Sequence, residues 1–501
     1  MPRFIKIKPE DNVAVAVTFL PKGTEVEVDN KKIELLEDIK QAHKFAIKPI
    51  AAGADVIKYG SSIGAATKDI VVGEWVHTHN VKTKLDGTLE YTYNPQPIQA
   101  RELPKPNSTT FMGYLRPDGQ VGIRNEIWVL PTVSCTNQTA TIMIKTAMAH
   151  IKNQPWANNI DGIYEYKHPY GCSQLGDDHK NTQKLLASLA KHPNAAGVLI
   201  VGLGCENNQV SEMKEVLGDY DPERIKFLVI QEVEDEIQAG ADILIELAEK
   251  ASQVQRQELP ISHLKIGLKC GGSDGMSGVT ANPLVGVISD MIVAEGGTSV
   301  LTEVPEMFGA EHLLMNRAKD KQVYEDIVKL INDFKEYFLS HNQPVYENPS
   351  PGNKEGGITT LEDKSLGCTE KGGTSQVVAV RDYAEQVTTP GLNLLCSPGN
   401  DLIAATTLAA AGCQIILFTT GRGTPFGTCV PTIKIATNSK LFNHKQHWMD
   451  FNAGTLAEGR TFDEVAVELL DEIIAVASGK KTKAELMEFR EIAIWKGGVT
   501  L

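Results

Sequence analysis

The sequence predicts a multidomain α/β protein, in which a small N-terminal β-rich module precedes α/β portions with largely parallel sheets. Residues 1–94 consist of short alternating segments separated by Gly, Pro and Asp/Asn turn signals. From residue 111 onwards, apolar strands alternate with amphipathic helices, a pattern typical of parallel sheets. The chain has 501 residues, which is too long for a single hydrophobic core.

Two breaks in this pattern predict the domain boundaries. Residues 95–110 contain four prolines and indicate a linker, because proline denies regular ladder bonding and favours extended backbone. The polar stretch Ala251–Pro260 separates a middle α/β domain (111–250) from a C-terminal α/β domain (261–501). The strands predicted within residues 1–94 include Asn12–Val17, Thr24–Val28, Val56–Tyr59 and Trp75–His79.

The composition narrows the class of function. A net charge of −14 and a pI near 5.4 argue against a general nucleic-acid or anionic-membrane binder. The longest apolar segment, Leu402–Phe418, falls short of the roughly 20 residues of a membrane span and favours a buried helix that leads into a strand. No signal peptide is evident and the cysteines are widely spaced, so we expect a cytoplasmic protein with reduced thiols. A homo-oligomer is compatible with the sequence.

Several predicted strands run directly into a short polar turn that contains Gly or Cys. In parallel α/β sheets, ligands bind beyond the carboxyl ends of the strands, so these turns are expected to converge on a pocket. The turns are 134–137, 202–208, 269–275, 396–401 and 420–427.

The pair His77 and His79 is a candidate metal site. If Trp75–His79 is a strand, both side chains point to one face, and imidazole is a suitable ligand for iron, zinc, copper and nickel. The alternative is that both imidazoles lie on a solvated strand face.

Four cysteines lie in or near the predicted strand-end turns. Thiolates bind iron and zinc well, and four converging thiolates can hold an iron–sulfur cluster. No CxxC pair is present and free cysteines are often simply buried, so both interpretations stay open. The four are Cys135, Cys172, Cys205 and Cys270.

The segment Tyr170–His179 brings a thiol, a hydroxyl, carboxylates and an imidazole close together in the chain. Such a set can supply a metal ligand and a proton carrier. The alternative is a helix N-cap, but capping needs only one such residue. We therefore favour a functional segment.

The turn Thr419–Gly427 is a candidate anion site. Its glycines let the backbone approach a ligand, and Arg422 can hold a carboxylate with two hydrogen bonds. The upstream polar segment 348–373 adds Lys354, Lys364 and Lys371, which can add positive charge, supply a base or remain solvated loop lysines. Complete motifs for a dinucleotide, a P-loop or a nucleophile elbow are missing from the sequence.

Long strings of this sequence resemble the altronate and galactarate dehydratase family over nearly the whole chain. VHTHN and HPYGCSQLGDDH are similar to the altronate branch of that family. The other strings are DNVAVAV, AHKFA, GYLRPDGQVGIRNE, GLGCENNQ, CGGSDGMSGVTANP, LTEVPEMFGAE, NPSPGNKEGG and TTGRGTPFG.

The resemblance implies a SAF-like β module at residues 1–94, followed by two α/β portions that form a dehydratase body. It also implies metal-dependent dehydration of D-altronate to 2-dehydro-3-deoxy-D-gluconate in hexuronate catabolism. The implied partner is a small sugar acid, without nucleic acid or membrane. The implied cofactor is ferrous iron, with manganese as its substitute.

Such a dehydration needs a base for the C2 proton, an acid for the departing C3 hydroxyl and a Lewis acid for the enediolate charge. The residues assigned to metal binding are His77, His79, Cys135 and Cys172. Those assigned to acid/base catalysis are His179, Asp178 and Lys371. Those assigned to substrate binding are Arg422, Gly421, Gly423, Thr424, Ser273, Asp274 and Asn207.

Three alternatives remain open from the sequence. The same chemistry on galactarate or a related acid would be separated by substrate screening. An iron–sulfur electron-transfer or sensor protein would be coloured and inert toward sugar acids. A non-catalytic carbohydrate-binding protein would bind a sugar without metal and without product.

Overall fold

Short antiparallel strands build the N-terminal module in the structure, a computed structural model that describes residues 3–97 and 101–501. The strands are β1 (Phe4–Ile5), β2 (Val13–Ala16), β3 (Glu25–Val28), β4 (Lys31–Glu34), β5 (Lys44–Ala46), β6 (Asp55–Lys58), β7 (Ser61–Ala66), β8 (Trp75–Val76) and β9 (Val81–Lys82). They form the sheets β1-β2-β5-β8, β3-β4 and β6-β7-β9. In β3 the glutamates are exposed and the valines buried, as the alternation of strand side chains requires.

Strand β8 is shorter than predicted. It ends at Val76 because the Asn80 side chain accepts a hydrogen bond from the His77 amide at 2.9 Å and donates one to the Trp75 carbonyl at 2.8 Å. Side-chain bonding of this kind is typical of asparagine in turns. His77 and His79 therefore lie in a turn, and strand alternation does not relate their imidazoles.

The chain leaves the module along the C-terminal domain without regular structure. The Tyr91 hydroxyl donates to Glu311 at 2.5 Å, and the rings of Tyr93 and Tyr324 pack with centroids 4.9 Å apart. Of the predicted linker at 95–110, residues 98–100 lie outside the described residues.

The middle domain is built on a parallel sheet with the strand order β13-β12-β14-β15. Helices α1 and α4 pack together over one face, and α2 and α3 cover the other. Its elements are β10 (Thr110–Leu115), β11 (Val121–Gly122), β12 (Glu126–Pro131), α1 (Asn137–Ile151), β13 (Gly162–Glu165), α2 (Gly176–Ala190), β14 (Ala195–Gly202), α3 (Val210–Leu217), β15 (Ile225–Val229) and α4 (Glu236–Ala251).

The C-terminal domain has a parallel sheet with the order β19-β20-β18-β17-β21-β22-β23 among the described residues. Its strands are β17 (Lys265–Cys270), β18 (Thr298–Leu301), β19 (Val377–Arg381), β20 (Gly391–Leu395), β21 (Ile415–Thr420), β22 (Thr432–Ala436) and β23 (Phe451–Asn452). A preceding strand, β16 (Gln257–Pro260), pairs with β10 and joins the two domains. The predicted fold class, a β-rich module followed by α/β regions with parallel sheets, is confirmed.

Helices cover both faces of this sheet. They are α5 (Ala281–Ala294), α6 (Glu311–Met315), α7 (Lys321–Ser340), α8 (Pro351–Glu355), α9 (Leu361–Thr369), α10 (Asp401–Ala410), α11 (Ser439–His444), α12 (Phe462–Ala477) and α13 (Lys483–Leu486). The predicted buried helix leading into a strand is confirmed as α10 followed by β21. In the part of the chain that the structure describes, no helix is long and apolar enough to span a membrane.

Candidate functional site

The C-terminal sheet reverses its winding direction at β17. The chain continues from β17 to β18 on one side, and later returns to β21 on the other. Ligands of open parallel sheets bind beyond the carboxyl ends of strands at such a switch point. The two loops there are joined, because the amides of Gly421 and Arg422 donate to the Gly272 carbonyl at 3.1 and 2.9 Å.

A cleft of about 400 Å³ opens beside these loops, and the N-terminal module forms one wall of it. Three cations, Lys40, Arg422 and Lys440, line it against two carboxylates, so its lining has a positive balance although the protein has a net charge of −14. A local basic lining raises the concentration of small anions. The other lining residues are Gln41, Ala42, His43, Asp274, Glu355, Gly356, Gly421, Asn438, Leu441 and His444. The cleft is therefore suited to a small anionic ligand.

Glycines allow the module to approach the loop after β17. A Cβ at Gly275 would come within 2.0 Å of the Ala42 carbonyl oxygen, and one at Gly357 within 2.3 Å. These contacts explain why glycine follows Asp274 in the sequence, because any larger residue would displace the module from the cleft.

Buried ion pairs fasten the module to the C-terminal domain. Asp363, on α9, accepts from Lys44 at 2.8 Å and from Lys58 at 2.9 Å, and all three side chains are at most 1% exposed. Burial lowers the pKa of Lys44 to about 8, against the attraction of Asp363. Burial alone would raise the pKa of Asp363, but the attraction of Lys44 and Lys58 outweighs it and lowers that pKa. The pairs hold the module wall in place.

The imidazoles of the module pack around Trp75. The Trp75 indole donates to His43 Nδ1 at 3.2 Å, so His43 Nε2 carries the proton and donates to the Glu355 carbonyl at 3.0 Å. His77 Nδ1 lies 3.3 Å from Thr359 Oγ1, and burial and the charge of Lys44 lower the His77 pKa to about 3. His79 lies near Glu37 and Glu74 at the module surface.

A buried cluster of donors lies at the carboxyl end of β17. Cys270 Sγ lies 3.4 Å from Cys368 Sγ and 3.2 Å from a Glu306 carboxylate oxygen. Cys368 Sγ lies 3.1 Å from the same oxygen. These ligand atoms all lie within 4.8 Å of one another, so the three side chains can bind one metal ion.

Buried lysines surround this cluster. Lys371 Nζ donates to Cys270 Sγ at 2.9 Å and to Glu303 at 3.2 Å. Burial alone would lower the pKa of Lys371, but the attraction of Cys270 and Glu303 outweighs it and raises that pKa well above its ordinary value. Lys364 pairs with Glu306 at 2.8 Å, and Lys269 pairs with Glu303 and, at 2.9 Å, with Asp401.

The charges of this cluster balance with a divalent ion bound. The three lysines offset Glu303, Glu306 and Asp401. Deprotonating both thiols for metal binding would add two negative charges, which a divalent cation neutralises. Two thiolates and one carboxylate suit a divalent transition metal, whereas calcium and magnesium prefer oxygen ligands. The residues therefore fit ferrous iron.

A small cavity lies between the donor cluster and the cleft. Asp274 lines both spaces, and Lys364 and Cys368 line the cavity. Asp274 accepts hydrogen bonds from Thr437 and Ser277 at 3.1 Å each, and burial raises its pKa. Ser273 also lines the cavity.

Apart from His77 and His79, which lie in a turn of the N-terminal module, the residues selected from the sequence fall at two separate sheet edges. At the C-terminal edge the structure places Lys371, Ser273, Asp274, Gly421, Arg422, Gly423 and Thr424. At the edge of the middle sheet it places Cys135, Cys172, Asp178, His179 and Asn207. The convergence of all strand-end turns on one pocket, expected from the sequence, is therefore wrong, because the turns belong to two sheets.

Asp178 and His179 are engaged at the middle edge. The Asp178 carboxylate accepts from the amides of Gly497 and Gly498 at 2.8 Å each, which fixes the C-terminal tail. His179 lies 3.5 Å from Glu212. The structure thus gives Asp178 a structural contact, whereas Lys371 contacts the donor cluster directly.

Sequence reasoning missed Glu303, Glu306 and Cys368 as site residues. Glu303 and Glu306 lie in the string LTEVPE directly after β18, where a strand-end turn was a usable signal. Glu303 also has a left-handed backbone with φ of 68°, which is uncommon for a residue with a side chain. Cys368 lies within helix α9, where no strand-end signal existed.

Family models match the three regions of the chain. The altronate/galactarate dehydratase SAF domain matches residues 2–84. The second domain of D-galactarate dehydratase/altronate hydrolase matches residues 113–252, and the D-galactarate/altronate dehydratase C-terminal model matches residues 261–500.

Curated relatives match over almost their whole length. The chain is 52% identical to the altronate dehydratases of Escherichia coli (strain K12) and Bacillus subtilis (strain 168), with 100% of each chain covered. It is 34% identical to galactarate dehydratase (L-threo-forming) of Escherichia coli (strain K12), covering 95% of this chain and 93% of the relative.

Proposed function

The chain belongs to the altronate/galactarate dehydratase family, and from this premise we propose that it is a hydro-lyase that dehydrates D-altronate to 2-dehydro-3-deoxy-D-gluconate. The observation that carries the proposal is the 52% identity to two altronate dehydratases over their full length. The cationic cleft at the switch point supports it, because the substrate is a carboxylate. The proposal includes a cytoplasmic enzyme of hexuronate catabolism, consistent with free cysteines at the surface.

The cleft and the donor cluster have different roles in this reaction: the cleft binds the substrate carboxylate, and the donor cluster binds the metal. Arg422 in the cleft can hold the substrate carboxylate with two hydrogen bonds. Cys270, Glu306 and Cys368 would hold ferrous iron or manganese, whose chemistry there is Lewis acidity toward a substrate oxygen. The charged Lys371 ammonium lies against the same cluster and stabilises negative charge that develops beside it.

We assign the proton transfer to Asp274. Its side chain lines both the cleft and the inner cavity, so it lies between the anion site and the donor cluster. Burial raises its pKa above the ordinary value of an aspartate, which makes its carboxylate a stronger base for the C2 proton. Hydrogen bonds from Thr437 and Ser277 fix its orientation.

Purified protein, assayed anaerobically with added ferrous iron, is expected to convert D-altronate to a 2-keto-3-deoxy acid. Galactarate, tested in parallel, is expected to react much more slowly, in line with the lower identity to the galactarate enzyme. Product from galactarate but not from altronate would reassign the substrate. Inertness toward both acids, with iron present, would overturn the proposed function.

Replacing Arg422 with alanine is expected to raise KM for altronate by about tenfold or more, with a smaller change in kcat. A hydrogen bond to a charged group contributes about 1.5–3 kcal/mol, and Glu355, 3.2 Å from Arg422, would become an unpaired repelling charge. The matched control is Arg460→Ala, because Arg460 also pairs with glutamates but lies outside the cleft. Equal KM values for both variants would remove Arg422 from substrate binding.

A further inference from the structure

Exposed cysteines cluster at the carboxyl edge of the middle sheet. Cys135 follows β12, Cys172 lies between β13 and α2, and Cys205 follows β14. All three are exposed, whereas the other five cysteines are buried or half-buried. Free cysteine is among the most buried residue types. Three exposed thiols on one sheet edge therefore indicate that a ligand binds there.

Hydrogen bonds hold these cysteine loops together. The Ser134 amide, next to Cys135, donates to the Tyr170 carbonyl at 2.9 Å. In the loop that carries Cys172, the Ser173 amide donates to Asn207 Oδ1 at 2.8 Å. Asn207 lies in the loop that carries Cys205. Each thiol is therefore within two residues of a contact to a neighbouring loop.

Two further bonds tighten the same edge. The Asn208 amide donates to the Gly171 carbonyl at 2.9 Å, and the Asn208 side chain donates to the Thr132 carbonyl at 3.0 Å. A Cβ at Gly171 would come within 2.0 Å of that same Thr132 oxygen. The loops that carry the three thiols are packed against one another.

Helices begin directly after each cysteine loop. Among the described residues, no side chain caps the N-termini of α1, α2 and α3. In contrast, side chains of Asp235, Asp320 and Asn400 cap α4, α7 and α10. Free N-terminal amides carry partial positive charge, which stabilises thiolates and other anions. The edge is therefore suited to an anionic group.

Buried polar atoms at this edge lack partners among the described residues. They are Asn208 Oδ1, Gln174 Nε2 and Asn137 Oδ1. The side chains of Asn208 and Gln174 are 0% and 2% exposed, and an unpaired buried polar group costs stability. Gln174 lies two residues after Cys172, where its amide can donate to a bound sulfur ligand.

We propose that Cys135, Cys172 and Cys205 bind an iron–sulfur cluster of the four-iron class, with one iron left to a non-cysteine ligand. Their sulfur atoms do not form a set of donors within 4.8 Å among the described residues, as a single ion would require. A cluster spans a wider site and bridges thiolates from separate loops. Cys270 belongs to the other sheet and is not a ligand.

The site is tested on full-length protein purified anaerobically and reconstituted with ferric iron, sulfide and excess dithiothreitol, which supplies the electrons that reduce part of the iron. We expect about four acid-labile sulfides and about five irons per chain, four in the cluster and one at Cys270, Glu306 and Cys368. We also expect a broad visible absorption band and an electron paramagnetic resonance signal after reduction with dithionite. Cys135→Ser, Cys172→Ser and Cys205→Ser should each lose most of the labile sulfide. Cys396→Ser, a half-buried cysteine of the C-terminal domain, should retain it.

The readouts separate this proposal from the dehydratase function. Protein that dehydrates altronate but binds no labile sulfide would overturn the cluster and leave the function intact. Bound zinc without sulfide would overturn it as well. Equal sulfide loss in Cys396→Ser would show that the sulfide is not held by these three thiols. Circular dichroism of each variant checks folding, which exposed substitutions should preserve.

Discussion

Replacing Glu306 with glutamine is expected to release the bound divalent metal and to lower kcat for dehydration by at least about 10²-fold. Glu306 contributes the only carboxylate to the donor set it forms with Cys270 and Cys368. Glutamine keeps the shape of the side chain but loses its charge. The change therefore weakens metal binding and disturbs the charge balance of the buried cluster.

Lys364 makes folding a necessary control in this experiment. It pairs with Glu306 at 2.8 Å, so the variant leaves a buried ammonium without its carboxylate. Glu311→Gln is the matched control, because Glu311 is also buried and pairs with a buried lysine, Lys335, at 3.3 Å. We expect both variants to lose stability, but only Glu306→Gln to lose metal, measured by elemental analysis of the folded protein.

A folded Glu306→Gln protein with unchanged metal content would place the metal elsewhere. The double variant His77→Ala/His79→Ala would then decide whether the N-terminal module holds it. In the structure, His77 contacts Thr359 and Trp75, and His79 groups with Glu37 and Glu74. If the metal is bound by Cys270, Glu306 and Cys368, we expect the double variant to retain it.

The strands and their polar ends could be predicted from the sequence because both signals are local. Apolar runs such as Ile127–Val133 and Leu264–Leu268 correspond to β12 and β17 within a few residues. The strand pattern cannot show that β12 and β17 belong to different sheets, because that depends on pairing between distant segments. For this reason, turns that looked equivalent in the sequence divide between two edges.

The metal centre shows the same limit at the level of single residues. Cys270 ends a predicted strand, and Lys371 was selected as a possible base, so part of the cluster could be predicted. Cys368 reaches it from the C-terminal end of helix α9, and Glu306 from the short 3-10 helix Val304–Glu306. Only tertiary packing brings these residues together, and no spacing in the chain encodes it.

Replacing Asp363 with asparagine is expected to lower the free energy of unfolding by about 3–5 kcal/mol. Asp363 is the carboxylate that pairs with both Lys44 and Lys58, and its side chain is 1% exposed. Lys44 would keep bonds to Thr359 and the Gly357 carbonyl, at 2.5 and 3.0 Å. Lys58 would lose its carboxylate partner. Urea unfolding followed by circular dichroism measures the loss.

The control for Asp363→Asn is an exposed pair within the module. Asp55 pairs with Lys84 at 2.8 Å, but the two side chains are 42% and 52% exposed. Because water screens such pairs, Asp55→Asn is expected to change stability by less than about 1 kcal/mol. Equal losses in the two variants would show that burial at Asp363 does not decide the energy of the pair.

The pH dependence of stability tests the same pairs without mutation. Lys44 and Lys58 outweigh the effect of burial and hold the pKa of Asp363 below its ordinary value. A carboxylate with a lower pKa in the folded state stabilises the protein above its unfolded pKa, about 3.9, and this contribution is lost as the pH falls further. Wild-type protein should therefore lose stability more steeply below about pH 4 than Asp363→Asn does. Parallel pH profiles would mean that the Asp363 carboxylate is not held by these lysines, and that other contacts fasten the module beside the cleft.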